Sequence, residues 1–431
     1  MSYADFLERK RAGQRPAGRD IAPGDVHPML HPWQVEITAW ACRTGRAAIW
    51  ADTGLGKTLM QIEWARFMAL GRPALIVAPL AVCQQTVREA AKVGVDARYV
   101  RDGGQITGSG LWITNYEMVP RFNPERLGAV VLDEASILKQ HDGATRRMLV
   151  EHFAGVPHRL ACTATPAPNE PEELTSQAEF LGVMRRADML AAYFVHDDQG
   201  WRLKGHASGP MFRWMASWAL AIRRPSDIGH PDDDYLLPPL TVTGQTVPVD
   251  TVPDDQLFAT DLGGVGGRAA VRRETLEARC QRASEIVAAE PGEPWILWCG
   301  LNAEAERLAA LIPGAINVHG TWTPEDKAAA LLDFADGRIR YLITKPSIAA
   351  FGLNWQHCAR VLFVGLGDSY EQYYQAIRRC WRYGQTRPVD VHVVLSELES
   401  QIAANVAGKE RQAAAMTARL VDAMRLGRAA A

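Results

Sequence analysis

Short apolar runs alternate with amphipathic stretches along most of the chain. In the first half the runs fall at residues 47–50, 74–78, 111–114, 129–132 and 159–162, with helix-like stretches such as 59–70 and 82–92 between them. The rhythm returns at 295–299, 315–319, 341–344, 361–364 and 389–395, with helices expected over 302–312, 324–335 and 370–383. Continuous apolar runs, as opposed to alternating ones, suit strands covered on both faces, so the pattern predicts mainly parallel sheets flanked by helices. Between the two halves, residues 183–239 break the rhythm with three Trp, a pair of Arg, three consecutive Asp and a closing Pro pair. The expected order is a flexible tail over 1–27, an α/β lobe over 28–182, a helical insertion and linker over 183–239, a second α/β lobe over 240–400, and a C-terminal helix over 401–431. Gly263–Gly267 reads as a flexible loop.

Composition narrows the picture. The 431 residues, 47% hydrophobic and 22% charged, suit two or three globular domains and exclude wholesale disorder. Lys and Arg number 47 against 49 Asp and Glu, a formal net charge of −2, so any nucleic-acid binding must come from local basic surfaces. No apolar run approaches the ~18–20 residues that span a bilayer, so no membrane partner is expected, and the charged N-terminus lacks the apolar core of a secretory signal. Seven scattered Cys without a C-x-x-C pair predict core thiols and a reducing cytoplasm, with no disulfide framework or zinc site. His27 and His31 are four apart, but Pro28 and Pro32 exclude a regular helix that would aim both at a metal.

Three segments carry candidate chemistry. Ala51-Asp52-Thr53-Gly54-Leu55-Gly56-Lys57-Thr58 follows a strand-like run and opens a helix-like one. Thr53, Gly54, Leu55 and Gly56 would cradle phosphates with backbone N–H groups, Lys57 would reach the β- and γ-phosphates, and Thr58 would ligate Mg2+. Ala51 stands where the general pattern has its first Gly. An apolar strand ending in Asp133-Glu134 then supplies a metal-binding acid and a base for an attacking water. Thr163-Ala164-Thr165-Pro166 closes a third apolar run.

The order of these motifs resembles the superfamily-two helicases, most closely their Swi/Snf-type branch of double-stranded-DNA translocases. His31-Pro32-Trp33-Gln34 resembles that family's adenine-reading glutamine motif, which gives Gln34 the base. Residues 75–80 resemble motif Ia, 113–117 motif Ib, Asp133–Ser136 motif II and Thr163–Pro166 motif III, with Ser136, Thr163 and Thr165 as coupling residues. Thr344 to Asn354 resembles motif V, which puts Gly352 and Asn354 near the nucleotide. Gln375-Ala376-Ile377-Arg378-Arg379-Cys380-Trp381-Arg382-Tyr383-Gly384-Gln385-Thr386 resembles motif VI. There Gln375 would couple, while Arg379 and Arg382, three apart on an expected helix, would neutralise charge on the γ-phosphate. Ser136 replaces the usual His, and Ala349-Ala350-Phe351 replaces a glycine pair.

The resemblance implies two RecA-like P-loop domains, ATP with Mg2+, and movement along nucleic acid, most naturally duplex DNA. Backbone contacts are expected from Pro79, Thr114, Asn115, Thr321, Thr344 and Lys345, with little sequence preference. Trp322, Trp355 and Trp381 invite a base-stacking reading, but core packing or lobe-to-lobe contact is the preferred one for most of the tryptophans. Two other functions remain: a strand-separating DNA or RNA helicase, and a nucleotide-gated DNA-binding scaffold with weak turnover. The compact size resembles bacterial or bacteriophage members.

Overall fold

The structure is a computed structural model describing residues 18–139, 143–167, 170–198, 200–232, 235–248, 273–349, 354–367 and 369–429. The chain divides into two compact units, residues 1–235 with 411–431, and residues 236–410.

In the first unit, α1 (Pro32–Thr44) leads into β1 (Arg46–Ala51), α2 (Lys57–Met68), β2 (Pro73–Ala78), α3 (Leu80–Lys92), β3 (Ala97–Tyr99), β4 (Gly110–Asn115) and β5 (Ala129–Asp133). Then come α4 (Ala144–His152), β6 (His158–Cys162), α5 (Leu174–Leu181), α6 (Arg186–Tyr193), the hairpin β7 (Phe194–Asp197) and β8 (Gly200–Leu203), α7 (Ser208–Met215) and β9 (Ala219–Ile222). Seven strands form one parallel sheet in the order β3-β4-β2-β5-β6-β1-β9. The central runs, such as Ala74 to Ala78 and Ala129 to Leu132, are buried on both faces, as continuous apolar strands require.

In the second unit, β10 (Leu240–Val247) is followed by α8 (Leu276–Ala289), β11 (Trp295–Cys299), α9 (Asn302–Leu311), β12 (Ala315–Asn317), α10 (Pro324–Ala335), β13 (Tyr341–Thr344) and α11 (Pro346–Ala349). It closes with β14 (Arg360–Val364), α12 (Tyr370–Ile377), β15 (Val389–Ser396) and the start of α13 (Ser400–Ala429). Its six-stranded parallel sheet runs β10-β15-β14-β11-β13-β12. The architecture is α/β, two RecA-like sheets, as expected.

Several expectations change. Residues 183–239 are not a separate insertion: β9 pairs with β1 as an edge strand of the first sheet, because Ala219 to Ile222 is an apolar run buried within that unit. Residues 18–27 are not a free tail. Gly18 and Arg19 donate to Arg43 O and Cys42 O, and Ile21 and Val26 are buried in the first core. Residues 1–17, the Gly263–Gly267 loop and Gly352 lie outside the described residues. The C-terminal helix serves both units: Ile402 packs in the second core, and Leu420, Val421 and Met424 in the first. Among the described residues no helix is long and apolar enough to cross a membrane. All seven Cys are buried thiols.

Candidate active site

In the first sheet, β6 lies between β1 and β5, so the loop after β1 and the acids after β5 emerge at the same carboxyl edge. That edge is where parallel α/β sheets hold ligands. Gly54 (φ 86°) and Gly56 (φ 67°) turn the loop over residues 52–56 through backbone space closed to most side chains, and α2 starts at Lys57. Lys57 Nζ donates to Ala51 O (2.7 Å) and Asp52 O (3.2 Å), which holds the ammonium against the inner rim of the loop. Burial pushes it below the ordinary lysine range, against the pull of Glu134, Asp52 and Asp133. A desolvated cation beside orphan N–H groups at a helix start favours a polyanion.

Gln34 stands directly on this loop. Its Oε1 accepts from His31 N–H (2.9 Å) and its Nε2 donates to Leu55 O (3.2 Å). A side chain on Gly56 would meet Gln34 Nε2 at 2.3 Å, so Gln34 needs glycine there.

Asp133 ends β5, and Gln61 Nε2 donates to its Oδ1 (2.7 Å) while the Tyr116 hydroxyl donates to its backbone carbonyl. One carboxylate and the Thr58 hydroxyl suit Mg2+, a hard cation that keeps waters and substrate oxygens in its shell and rarely takes a full protein cage. Glu134 follows in a left-handed conformation (φ 57°), uncommon outside glycine, and this turns the chain sharply at the sheet edge. Ser136 is buried two residues on, and among the described residues its hydroxyl has no hydrogen bond to Thr163 or Thr165. Thr163 Oγ1 instead accepts from Thr165 N–H (3.1 Å). Gln177 holds this turn by donating to Pro166 O (2.9 Å), and its Oε1 accepts from Trp50 Nε1 of β1 (2.8 Å).

Gln61, Tyr116 and Gln177 escaped sequence reasoning. Gln61 carried a usable signal, since it lies one helical turn past Lys57 on the same face. Tyr116 lies in the 113–117 segment that resembles motif Ib, but nothing there singled out its hydroxyl, and Gln177 acts from a segment with no motif.

In the second unit, α12 stops at Ile377, so Arg379 and Arg382 do not share a helical face as expected. The carbonyls that would continue the helix are taken elsewhere: Arg379 O accepts from Trp355 N–H (2.9 Å) and Cys380 O from Gln385 Nε2 (3.3 Å). Arg379 Nη2 donates to Gln375 Oε1 (3.2 Å), which orients it. Burial and the Arg379 and Arg378 guanidiniums push Arg382 down to about 9, and among the described residues no carboxylate pairs with it. Arg378 stacks over Trp381 (4.3 Å) and Tyr374 (5.0 Å). Asn354 is half-buried.

The candidate nucleic-acid contacts separate. Thr114 is buried and donates to Val100 O (2.8 Å), Thr344 is buried and donates to Val318 O (2.9 Å), and Asn115 is engaged by Tyr99 and Glu117. These three brace strand ends and, as placed, present no side chain to a backbone. Pro79 is half-buried and caps α3, and Thr321 is exposed beside His319. Lys345 lines a cavity of about 190 Å³ at the carboxyl edge of the second sheet, with Trp298, Gly300, Ser347, Gly367 and Ser369. Of the three tryptophans, Trp355 is fully buried and Trp381 is tied to Pro238 O (2.7 Å). Trp322 is half-buried against His319.

Comparison with known proteins matches the SNF2-related domain to residues 33–189 and the helicase conserved C-terminal domain to residues 279–384. Curated relatives include the DNA annealing helicase and endonuclease ZRANB3 of Mus musculus, 29% identical over 180 residues, and that of Homo sapiens, 26% identical over 179 residues. Each alignment covers 38% of this chain and only 17% of the relative. Among solved structures, the Sulfolobus solfataricus SWI2/SNF2 ATPase core in complex with dsDNA aligns over 93% of this chain and 96% of its own. Identity there is 17% and the TM-score 0.46, too low to carry an argument alone.

Proposed function

Because the chain belongs to the Snf2-type branch of the superfamily-two helicases, we propose that it is a nucleic-acid-dependent ATPase that moves along duplex DNA. The observation that carries this reading is the carboxyl edge of the first sheet, where a half-buried lysine in a glycine-turned loop faces the charges of Asp133 and a conformationally strained Glu134.

The loop N–H groups and Lys57 bind the triphosphate, and Gln34 reads the base while bracing the loop. Thr58 and Asp133 hold Mg2+, which supplies charge neutralisation at the transferring phosphoryl group. Glu134 orients and deprotonates the water. Arg379, positioned by Gln375, and Arg382 supply guanidiniums to the charge that develops on the γ-phosphate. A desolvated Arg382 with no carboxylate partner among the described residues supports that role. Lys345 and Thr321 contact the sugar–phosphate backbone. Because the net charge is −2, binding rests on local basic contacts to phosphate and falls with salt. The name of the curated relatives, DNA annealing helicase and endonuclease, supports DNA as the polymer.

ATPase assays with no nucleic acid, single strands and duplex, at matched salt, test the proposal. At least tenfold stimulation by duplex is expected. A stronger response to single strands would favour a strand-separating helicase. No stimulation would leave a nucleotide-gated scaffold.

A further inference from the structure

At the opposite edge of the first sheet, away from the phosphate loop, two arginines stand side by side. Arg46 opens β1 and Arg159 is the second residue of β6, and the parallel register pairs them directly. Their guanidiniums converge: a Cβ on Gly182 would lie 2.7 Å from Arg159 Nη2 and 3.1 Å from Arg46 Nη1. Gly182 (φ 69°) ends α5 and is itself exposed, so the point of convergence opens to solvent.

Like charges on adjacent strands repel. Among the described residues neither arginine pairs with a carboxylate; their acceptors are the carbonyls of Pro157 and Phe180. The nearby acid Glu179 is engaged by Arg146. The end of α5 offers roughly half an elementary charge of compensation, which leaves two guanidiniums largely unneutralised. Arg159 is 3% exposed, and its Nε is buried without an acceptor. Burial pushes both guanidiniums below their ordinary range, and for Arg159 the neighbouring Arg46 adds to the effect.

We propose that Arg46, Arg159 and the Gly182 turn form a second anion site that takes a phosphate-class oxyanion, distinct from the nucleotide site at the other end of β1. Six strand residues separate the two edges, on the order of 20 Å at about 3.3 Å per residue. Guanidinium forks match the geometry of phosphate oxygens, and both reach the same point. The oxyanion is either free phosphate or one backbone phosphate of nucleic acid.

Thermal melts and calorimetric titration of the full chain with inorganic phosphate, at constant ionic strength set with chloride, test the site. The background is Lys57→Ala, which removes phosphate binding at the loop. Phosphate should raise the melting temperature of that protein, and adding Arg46→Gln should weaken binding at least tenfold. Arg46 is half-buried, so this change spares the core, and unchanged ATP affinity of Arg46→Gln in the Lys57-containing protein verifies the fold. Gly182→Ala, which crowds both guanidiniums, should weaken phosphate binding as well. If the source is nucleic acid, Arg46→Gln should instead lower duplex affinity and flatten its salt dependence. The site is refuted if Arg46→Gln changes neither phosphate binding in the Lys57→Ala background nor duplex affinity.

Discussion

Glu134 shows how one side chain ties chemistry to local strain. A non-glycine residue at φ 57° costs about 1–3 kcal/mol, and the surrounding sheet edge must hold it there. Glu134→Gly should therefore raise stability by about 1 kcal/mol in a denaturant melt while abolishing ATP turnover. Glu134→Gln keeps the strain and ATP binding, and should lower kcat at least ~100-fold. A glycine variant no more stable than the parent would show that the left-handed turn stores nothing. Gln61 acts one step away, since its amide fixes Asp133 Oδ1. Gln61→Leu should raise the Mg2+ concentration needed for half-maximal ATPase severalfold with little change in kcat at saturating Mg2+. An unchanged Mg2+ requirement would detach Gln61 from the metal-binding acid and leave it a packing residue.

The phosphate loop works as a unit because Gln34 leans on it. Gly56→Ala places a methyl where Gln34 Nε2 now sits and forces a left-handed alanine, so two penalties fall on one position. The expected result is a KM for ATP raised at least ~10-fold, together with a reduced preference for ATP over GTP because Gln34 is displaced. Equal losses for both nucleotides would mean that Gln34 braces the loop without reading the base. This loop was legible in the sequence because its glycines, lysine and threonine sit at a spacing that phosphate geometry dictates. The same holds for strands such as β2 and β5, whose residues are apolar on both faces. Elements with weaker signals were missed. β10 carries alternating polar and β-branched residues on an edge, so no apolar run announced it. β9 is a short apolar run of four residues inside a tryptophan-rich stretch, and its pairing with β1 settles it as a strand. The end of α12 is set by side-chain and loop partners, Trp355 from well upstream and the Gln385 amide from just beyond, which no local helical periodicity could reveal.

The division into two units cuts across the order of the chain. Residues 411–431, the last part of α13, belong to the first unit although all of the second unit precedes them. Leu420, Val421 and Met424 are buried there, and Arg425 donates to Ser226 O and Asp227 O (both 3.0 Å). The first core is therefore completed only after the second unit has been made, and its stability depends on a segment more than 170 residues beyond Tyr235. Two units with separate cores should unfold in more than one step. Leu420→Ala should lower the first unit's transition by about 2–5 kcal/mol, the cost of emptying a buried leucine site, and leave the second unit's transition in place. Trp298→Ala, in the second core, should do the reverse. Calorimetry combined with proteolysis assigns each transition to its unit, since fragments released at the lower transition identify the part that has opened. If both variants lower one shared transition equally, the two cores unfold as a single cooperative body and the tail of α13 is no longer specific to the first unit.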